Sequence, residues 1–313
     1  MAPLIPRMHV FEIADFPWFP DFLRAYFQAA LTAAWTTHIP ILQDSSPARL
    51  VAYVLSTRLP GPLGNYTIID FCAGGGGPTP SIEHHLNHPG RRRGATQPSA
   101  SDQKGQDETA PPPPIKFILT DLHPHPHLWA EAARQSANIE YVPYPVDAAN
   151  VPGALVERHR DGGKKKVLRL FNLSFHHFDD ALAMRILKGT VDGAQEGEGF
   201  GIFELQDRGI AGFLSCCLFG MATLMMAPYF ALLWGEPLAL LFTYVLPILP
   251  VVLVFDGWMS CLRTRTTDEV VALLKACGAE GGQEEIAKWE ITSGSETFMW
   301  PVGRVNWIMG LKK

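Results

Sequence analysis

The most restrictive stretch of the chain is YTIIDFCAGGGGPTPSI, residues 66–82. Its first six residues, Tyr66–Phe71, form an apolar run of the length and composition of a buried strand. The glycines that follow permit a tight turn and let a ligand come close to the main chain. A helix is expected from about Thr79 to Leu86. Strand, glycine turn and helix N-terminus in that order make a place where a ligand meets backbone N–H groups. A glycine run alone also occurs in ordinary loops, so the order of the three parts carries the inference.

The rest of the first two thirds repeats the strand–helix pattern. IKFILTD, 115–121, reads as a second strand ending in Asp121, followed by a helix in WAEAARQSA, 129–137. IEYVPYPVD, 139–147, is a third strand region ending in Asp147. KVLRLFNLSFHHF, 166–178, is a fourth strand running into a loop, with a helix over 181–191 and a fifth strand in 199–208. The alternation predicts an α/β fold: a Rossmann-like, mostly parallel sheet with helices on both faces. Residues 88–114 break the pattern with Gly, Pro, Ser, Gln and charge, and are expected to be a disordered insertion. Without them, Asp121 follows the glycines by roughly 20 residues, the spacing at which a carboxylate meets a ribose diol.

Composition excludes several function classes. The chain has 313 residues and a net charge of −5, which argues against a nucleic-acid surface. Its five cysteines, Cys72, Cys216, Cys217, Cys261 and Cys277, contain no C-x-x-C pair, so neither a disulfide scaffold nor a zinc site is expected. An odd cysteine number and no apolar signal-peptide region near Met1 fit a reducing compartment. His123, His125 and His127 alternate with prolines, but no acid or cysteine clusters around them, and no metal site is expected. They are read as loop histidines near a bound nucleoside. Dinucleotide binding is the competing reading of the glycine turn. It fails on G-x-G-x-x-G, because Pro78 and Thr79 stand near the place of the last glycine.

These residues resemble the class I family of methyltransferases that use S-adenosylmethionine (SAM). The resemblance spans 66–207 and the C-terminal strands. It implies SAM as cofactor, with Asp70, Ala73, Gly74, Gly75 and Gly76 around its methionine end. It implies Asp121 on the ribose and Asp147 near the adenine amine. FNLSFHHF, 171–178, resembles the segment beside the transferring methyl, which puts Asn172 at the cofactor. His176 and His177 become the candidate catalytic residues, as base or as groups that orient the acceptor. Lining and closing the pocket is the plainer role for the same pair. The fourth glycine, followed by Pro78, departs from the family pattern.

Beyond the fifth strand the chain turns oily. Residues 209–234 and 237–255 are two apolar runs free of Lys, Arg and Asp, separated by a Gly-Glu link. They predict an apolar helical hairpin, kinked at Pro228, Pro247 and Pro250, long enough to enter a membrane. Arg208, Arg263 and Arg265 flank it and predict a cytoplasmic catalytic domain. The other reading is a buried, oily lid over the cofactor. Asp256 and Trp258 either line the acceptor site or end a helix. A helix over 267–277 and two strands joined by a Pro-containing turn complete the core.

The organisation expected is therefore an N-terminal helical segment, 1–60, with helices from Asp21 and from Pro47, the second capped by Ser46. A SAM-binding core, 61–208, an apolar hairpin, 209–260, and a C-terminal helix and strands, 261–313, follow. The N-terminal helices cover the sheet edge, or form a lid or dimer contact. The expected substrate is a small hydrophobic molecule, an amine before a hydroxyl, and the proline-rich insertion resembles those of fungal enzymes that tailor secondary metabolites, including peptide-derived ones. A membrane lipid as acceptor, and a non-catalytic membrane adaptor that keeps the fold, are the alternatives.

Overall fold

The structure is a computed structural model that describes residues 3, 5–88 and 113–313. Residues 89–112, which hold nearly all of the expected disordered insertion, lie outside the described residues. The chain runs through α1 (Asp21–Thr36), α2 (Pro47–Arg58), β1 (Tyr66–Phe71), α3 (Thr79–Asn87), β2 (Lys116–Thr120), α4 (Pro126–Gln135) and β3 (Ile139–Tyr141). It continues through α5 (Gly153–His159), β4 (Lys166–Asn172), α6 (Asp180–Gly193) and β5 (Gly199–Glu204). The last part is α7 (Ile210–Trp234), α8 (Leu238–Leu240), α9 (Ile248–Arg263), α10 (Thr267–Ala276), α11 (Gly282–Ile286), β6 (Trp289–Met299) and β7 (Gly303–Lys312).

The seven strands form one sheet in the order β3-β2-β1-β4-β5-β7-β6. β1 to β5 are parallel, and β7 enters antiparallel between β5 and β6. This is the Rossmann-like, mostly parallel sheet that the alternation predicted. The winding direction reverses between β1 and β4, so a crevice opens at their C-terminal ends. All six residues of β1 are buried, as both faces of a central parallel strand are covered. Ile68, Phe117, Leu168 and Trp307 face α1 to α4 through Trp35, Val51, Leu55, Ile82 and Trp129. Ile69, Ile118, Phe171 and Ile202 face α5, α6 and α10 through Leu155, Ile186, Leu187, Val270 and Leu274. The strand period of two sends adjacent residues, Ile68 and Ile69, into opposite layers.

Local signals explain the helix starts. Ser46 Oγ accepts from the Arg49 amide at the N-cap of α2, with Pro47 as the first helical residue. Thr266 and Glu269 form a reciprocal capping box on α10. Three sequence readings shift. The third strand ends at Tyr141, because Pro143 and Pro145 supply no N–H for a ladder. α4 starts three residues earlier than the apolar pattern, at Pro126. α5 was not anticipated; its seven residues bury only Leu155 and Val156, too few for a periodic signal.

The apolar region bends at Pro247, where a kink was expected, and departs from expectation in its packing. α7 is one helix of 25 residues, and the second run is broken. α8 passes through a π-helical turn, Leu241–Val245, and the chain then bends by 71° into α9. Pro247 lies at that break, where it caps the new helix and cannot continue the old one. α9 is not oily on all sides. Leu249, Val252 and Leu253 pack on Phe19, Leu23 and Phe27 of the N-terminal segment, forming a third apolar cluster. α7 packs against α9 through small residues: a Cβ on Gly220 would lie 2.3 Å from Val254, and one on Gly257 2.9 Å from Cys216. The side of α7 away from α9 is exposed. The most apolar window of α7 has a mean hydropathy of 2.0, and 11% of that window is buried.

Candidate active site

The glycine turn lies at the mouth of the crevice. Four of its residues have positive φ: Cys72 at 64°, Gly74 at 51°, Gly76 at 105° and Gly77 at 48°. Cys72 bears a Cβ in this left-handed region, which costs it strain that glycine avoids. The Ala73 amide donates to Thr120 O at 3.0 Å, and the Gly76 amide to Ala73 O at 2.8 Å. Trp129 Nε1 donates to Gly74 O at 2.8 Å, so α4 holds the turn from the side.

Asp121 stands directly after β2, and its Oδ2 accepts the Gly74 amide at 2.8 Å. Its Oδ1 accepts the His123 amide at 2.7 Å. Each carboxylate oxygen can take a further hydrogen bond, so two acceptor positions remain for a diol. Val146 N donates to Asp121 O at 2.9 Å, which brings the exposed Asp147 beside Asp121. Asp147 itself accepts the Ala149 amide at 2.8 Å.

Asp70 is placed differently from the other candidates. It is 1% exposed and lies beneath the turn, where Thr79 Oγ1 donates to its Oδ2. Asn172 Nδ2 donates to the same threonine hydroxyl at 3.3 Å. Burial pushes the Asp70 carboxyl up to about 7, against the opposing hydrogen bonds from Thr79 and Asn172. Asp70 and Asn172 thus tie β1, β4 and the start of α3 together under the turn. The Oδ1 atoms of both residues are buried without a hydrogen-bond partner.

One contributor was missed by the sequence reading. Gln28, half-buried on α1, reaches over the turn: Cβ atoms built on Gly74 and Gly75 would lie 4.0 and 3.6 Å from its amide. A polar residue between the apolar Phe27 and Ala29 of α1 was the signal available.

His176 and His177 occupy a short 3-10 turn, Phe175–His177, after β4. His176 is 2% exposed and clamped by Glu204 at the end of β5, which accepts its Nδ1 at 2.9 Å and its amide at 3.2 Å. The side chain of His177 is 35% exposed, with Nδ1 3.4 Å from Asp15. Burial alone would lower the His177 pKa. The hydrogen bond with Asp15 and the charges of Glu12 and Asp15 outweigh burial and raise it. Asp15 falls to about 2, because His177 and Arg263 offset its own burial.

The turn is held from α9 and the residues after it. Arg263 donates to the carbonyls of His176 and His177, and Arg265 to those of Phe175 and Phe178. Asp256 lies within α9 and accepts the amides of Ile13 and Ala14 at 2.7 and 2.9 Å, fixing the N-terminal segment. Trp258 Nε1 donates to Phe213 O at 3.2 Å across the α7–α9 contact. Of the proline-flanked histidines, His123 meets Asp121 through its amide only.

Among solved structures, the chain is similar to a putative O-methyltransferase from Nostoc punctiforme, at 14% identity over 98% of this chain and 64% of that one, TM-score 0.48. It is similar to a SAM-dependent methyltransferase from Anabaena variabilis, at 15% identity over 100% of this chain and 99% of that one, TM-score 0.46. A third likeness is to human N-acetylserotonin methyltransferase in complex with SAM, at 12% identity over 93% of this chain and 55% of that one, TM-score 0.42. The chain spans less than two thirds of the length of the first and the third. No family model and no curated protein matches it. At these identities and scores no residue role passes from one chain to another, and the strand order and pairing stand on their own.

Proposed function

We propose that the protein is a methyltransferase that uses SAM and methylates a small hydrophobic acceptor at an amine or hydroxyl. The observation that carries this reading is the junction of Gly74 and Asp121 at the reversal point of the sheet. A cofactor seated there has its ribose diol on Asp121 and its amino-acid end along Gly74–Gly76. Asp147 is assigned to the adenine side. Asp70 and Asn172 shape the turn from below, and Gln28 covers it from above.

Methyl transfer is an in-line displacement at a sulfonium carbon. The acceptor lone pair forms the new bond, the carbon–sulfur bond breaks, and its electron pair stays on sulfur. The protein's part is chiefly to hold the acceptor near the methyl and in line. A hydroxyl acceptor must also lose its proton, and the half-exposed His177 is the group assigned to take it. The buried His176 keeps the turn in place. An unprotonated amine needs no base for the bond-forming step, and N-methylation is the reading carried forward, in the tailoring of a secondary metabolite.

The exposed oily surface of α7 supports contact with a membrane on the cytoplasmic side. Ile210, Met221, Met225, Tyr229 and Leu232 are each more than half exposed, and such a surface is expected at a lipid or partner contact. A lipid acceptor is the second reading that this surface favours. The test is incubation of the purified protein with isotopically labelled SAM and candidate acceptors, followed by mass spectrometry. A product heavier by one labelled methyl is expected. Absence of SAM binding by calorimetry in the folded protein would remove the enzyme reading altogether.

A further inference from the structure

We propose that Glu12, His176 and His177 form a binding site for one divalent first-row transition-metal ion, of the zinc or iron(II) type. Their ligand atoms all lie within 4.8 Å of one another. His176 Nε2 is 3.7 Å from Glu12 Oε1, and His177 Nε2 is 3.9 Å from Glu12 Oε2. Ligands at about 2.0–2.1 Å around a tetrahedral ion stand roughly 3.3 Å apart, so an ion would draw the three atoms together, by up to about 1.5 Å for a pair at the 4.8 Å limit. Two imidazoles and one carboxylate are a donor set for zinc or iron(II), with positions left open.

The outer contacts favour an ion as well. Glu204 holds Nδ1 of His176, and Asp15 faces Nδ1 of His177. A ring whose Nδ1–H is given to a carboxylate presents the Nε2 lone pair. Both lone pairs then face the Glu12 carboxylate across gaps too long for a hydrogen bond. A carboxylate behind each metal-binding histidine is the usual support of such sites. Ser260 Oγ and Arg263 Nη1 both meet Glu12 at Oε1, at 2.9 and 3.0 Å, so their demand falls on one oxygen. The carboxylates of Glu12, Asp15 and Glu204 surround the two imidazoles, with Arg263 the guanidinium that pairs with them, and this acidic surplus suits a cation. The rival occupant of the same gaps is protons on the imidazoles.

The ion would bind at the end of β4, on the crevice side, with its open position toward the acceptor. An acceptor oxygen or nitrogen held there would be polarised, and His177 would serve as ligand in place of base. That role rests on the proposed methyl transfer; the site itself does not, and its test needs neither SAM nor an acceptor. The full-length protein, stripped with a chelator and dialysed, is titrated with cobalt(II) chloride. Bound metal is counted per chain, and the visible ligand-field spectrum is recorded. Expected are one tightly bound ion and the intense bands of a four- or five-coordinate site. Glu12→Gln and His177→Ala should each lose that ion. Glu204→Gln keeps all three ligands and should weaken affinity by about 10–100-fold. His88→Ala is the control, because exposed His84 and His88 stack with ring centroids 4.9 Å apart and offer a surface site. No bound ion in the wild-type protein overturns the proposal, as does binding that His88→Ala abolishes and Glu204→Gln leaves unchanged. The wild-type count and the Glu204→Gln arm decide the matter even if a ligand variant fails to fold.

Discussion

The backbone amide of Gly74 donates to Asp121 Oδ2 at 2.8 Å, joining two loops that are 47 residues apart in the chain. One loop carries the glycines and the other the acid, and their contact sets the floor of the crevice before any ligand arrives. Asp121→Ala should therefore weaken SAM binding by at least tenfold in a folded protein, since a lost charge-assisted contact costs roughly 1.5–3 kcal/mol. Calorimetry with SAM checks this, and unchanged affinity would take Asp121 out of the site.

The Asp70 carboxyl predicts a pH effect on stability. Its folded pKa is raised to about 7 from 3.8 by burial. Between those values the native state holds a proton that the unfolded state has lost. Stability from this group is thus full below the unfolded pKa and declines as pH rises toward about 7. Asp70→Asn removes the ionisation and keeps an oxygen for Thr79. Urea unfolding should show the variant gaining on the wild type as pH rises from 3.8 to about 7, by at most ~4 kcal/mol in all. A gap that stays constant with pH would mean that Asp70 does not titrate in this range.

Far from the crevice, Arg160 pairs with Glu198 through two hydrogen bonds, and both side chains are no more than 5% exposed. Removing Glu198 takes away the buried partner of Arg160, leaving it the exposed Glu157, and also strips the Val167 and Gln195 amides of their acceptor. Glu198→Ala should cost about 3–5 kcal/mol of stability while SAM affinity of the folded fraction stays the same. Denaturant melts and calorimetry on one preparation read both quantities.

Met225 and Leu232 on α7 are 76% and 85% exposed, so a charge there does not disturb the core. If α7 sits in lipid, Met225→Arg faces a cost that approaches the roughly 2.5–3.5 kcal/mol of a mid-bilayer charge, and Leu232→Arg, near the end of α7, a smaller one. The wild-type protein should stay with membranes through a carbonate wash and leave with detergent, and the double variant should shift to the soluble fraction. Recovery of the wild type as a soluble, monodisperse monomer without detergent would reassign α7 to a protein contact.

Much of the core was legible in the order of residues because its signals are local. A strand buried on both faces, such as Tyr66–Phe71, needs a continuous apolar run, and a turn with four positive φ values needs glycine at most of them. The capping of α2 by Ser46 and of α10 by Thr266 lies within four residues of each helix start. The acid at Asp121 could be placed once the insertion was set aside. What the chain order could not reveal is contact between distant segments. Glu12 meets His176 and His177 because Asp256, Ser260 and Arg263 of α9 hold the N-terminal segment in place. Asp70 looked like its neighbours in the turn, yet the pleat and the start of α3 bury it under Thr79. The two apolar runs read alike as composition. Packing separates them: Leu249, Val252 and Leu253 find the rings of Phe19 and Phe27, whereas α7 meets α9 along one side and leaves Met225, Leu232 and Leu233 exposed on the other. Hydrophobicity along the chain determines that a segment leaves water; the tertiary arrangement decides what it meets instead.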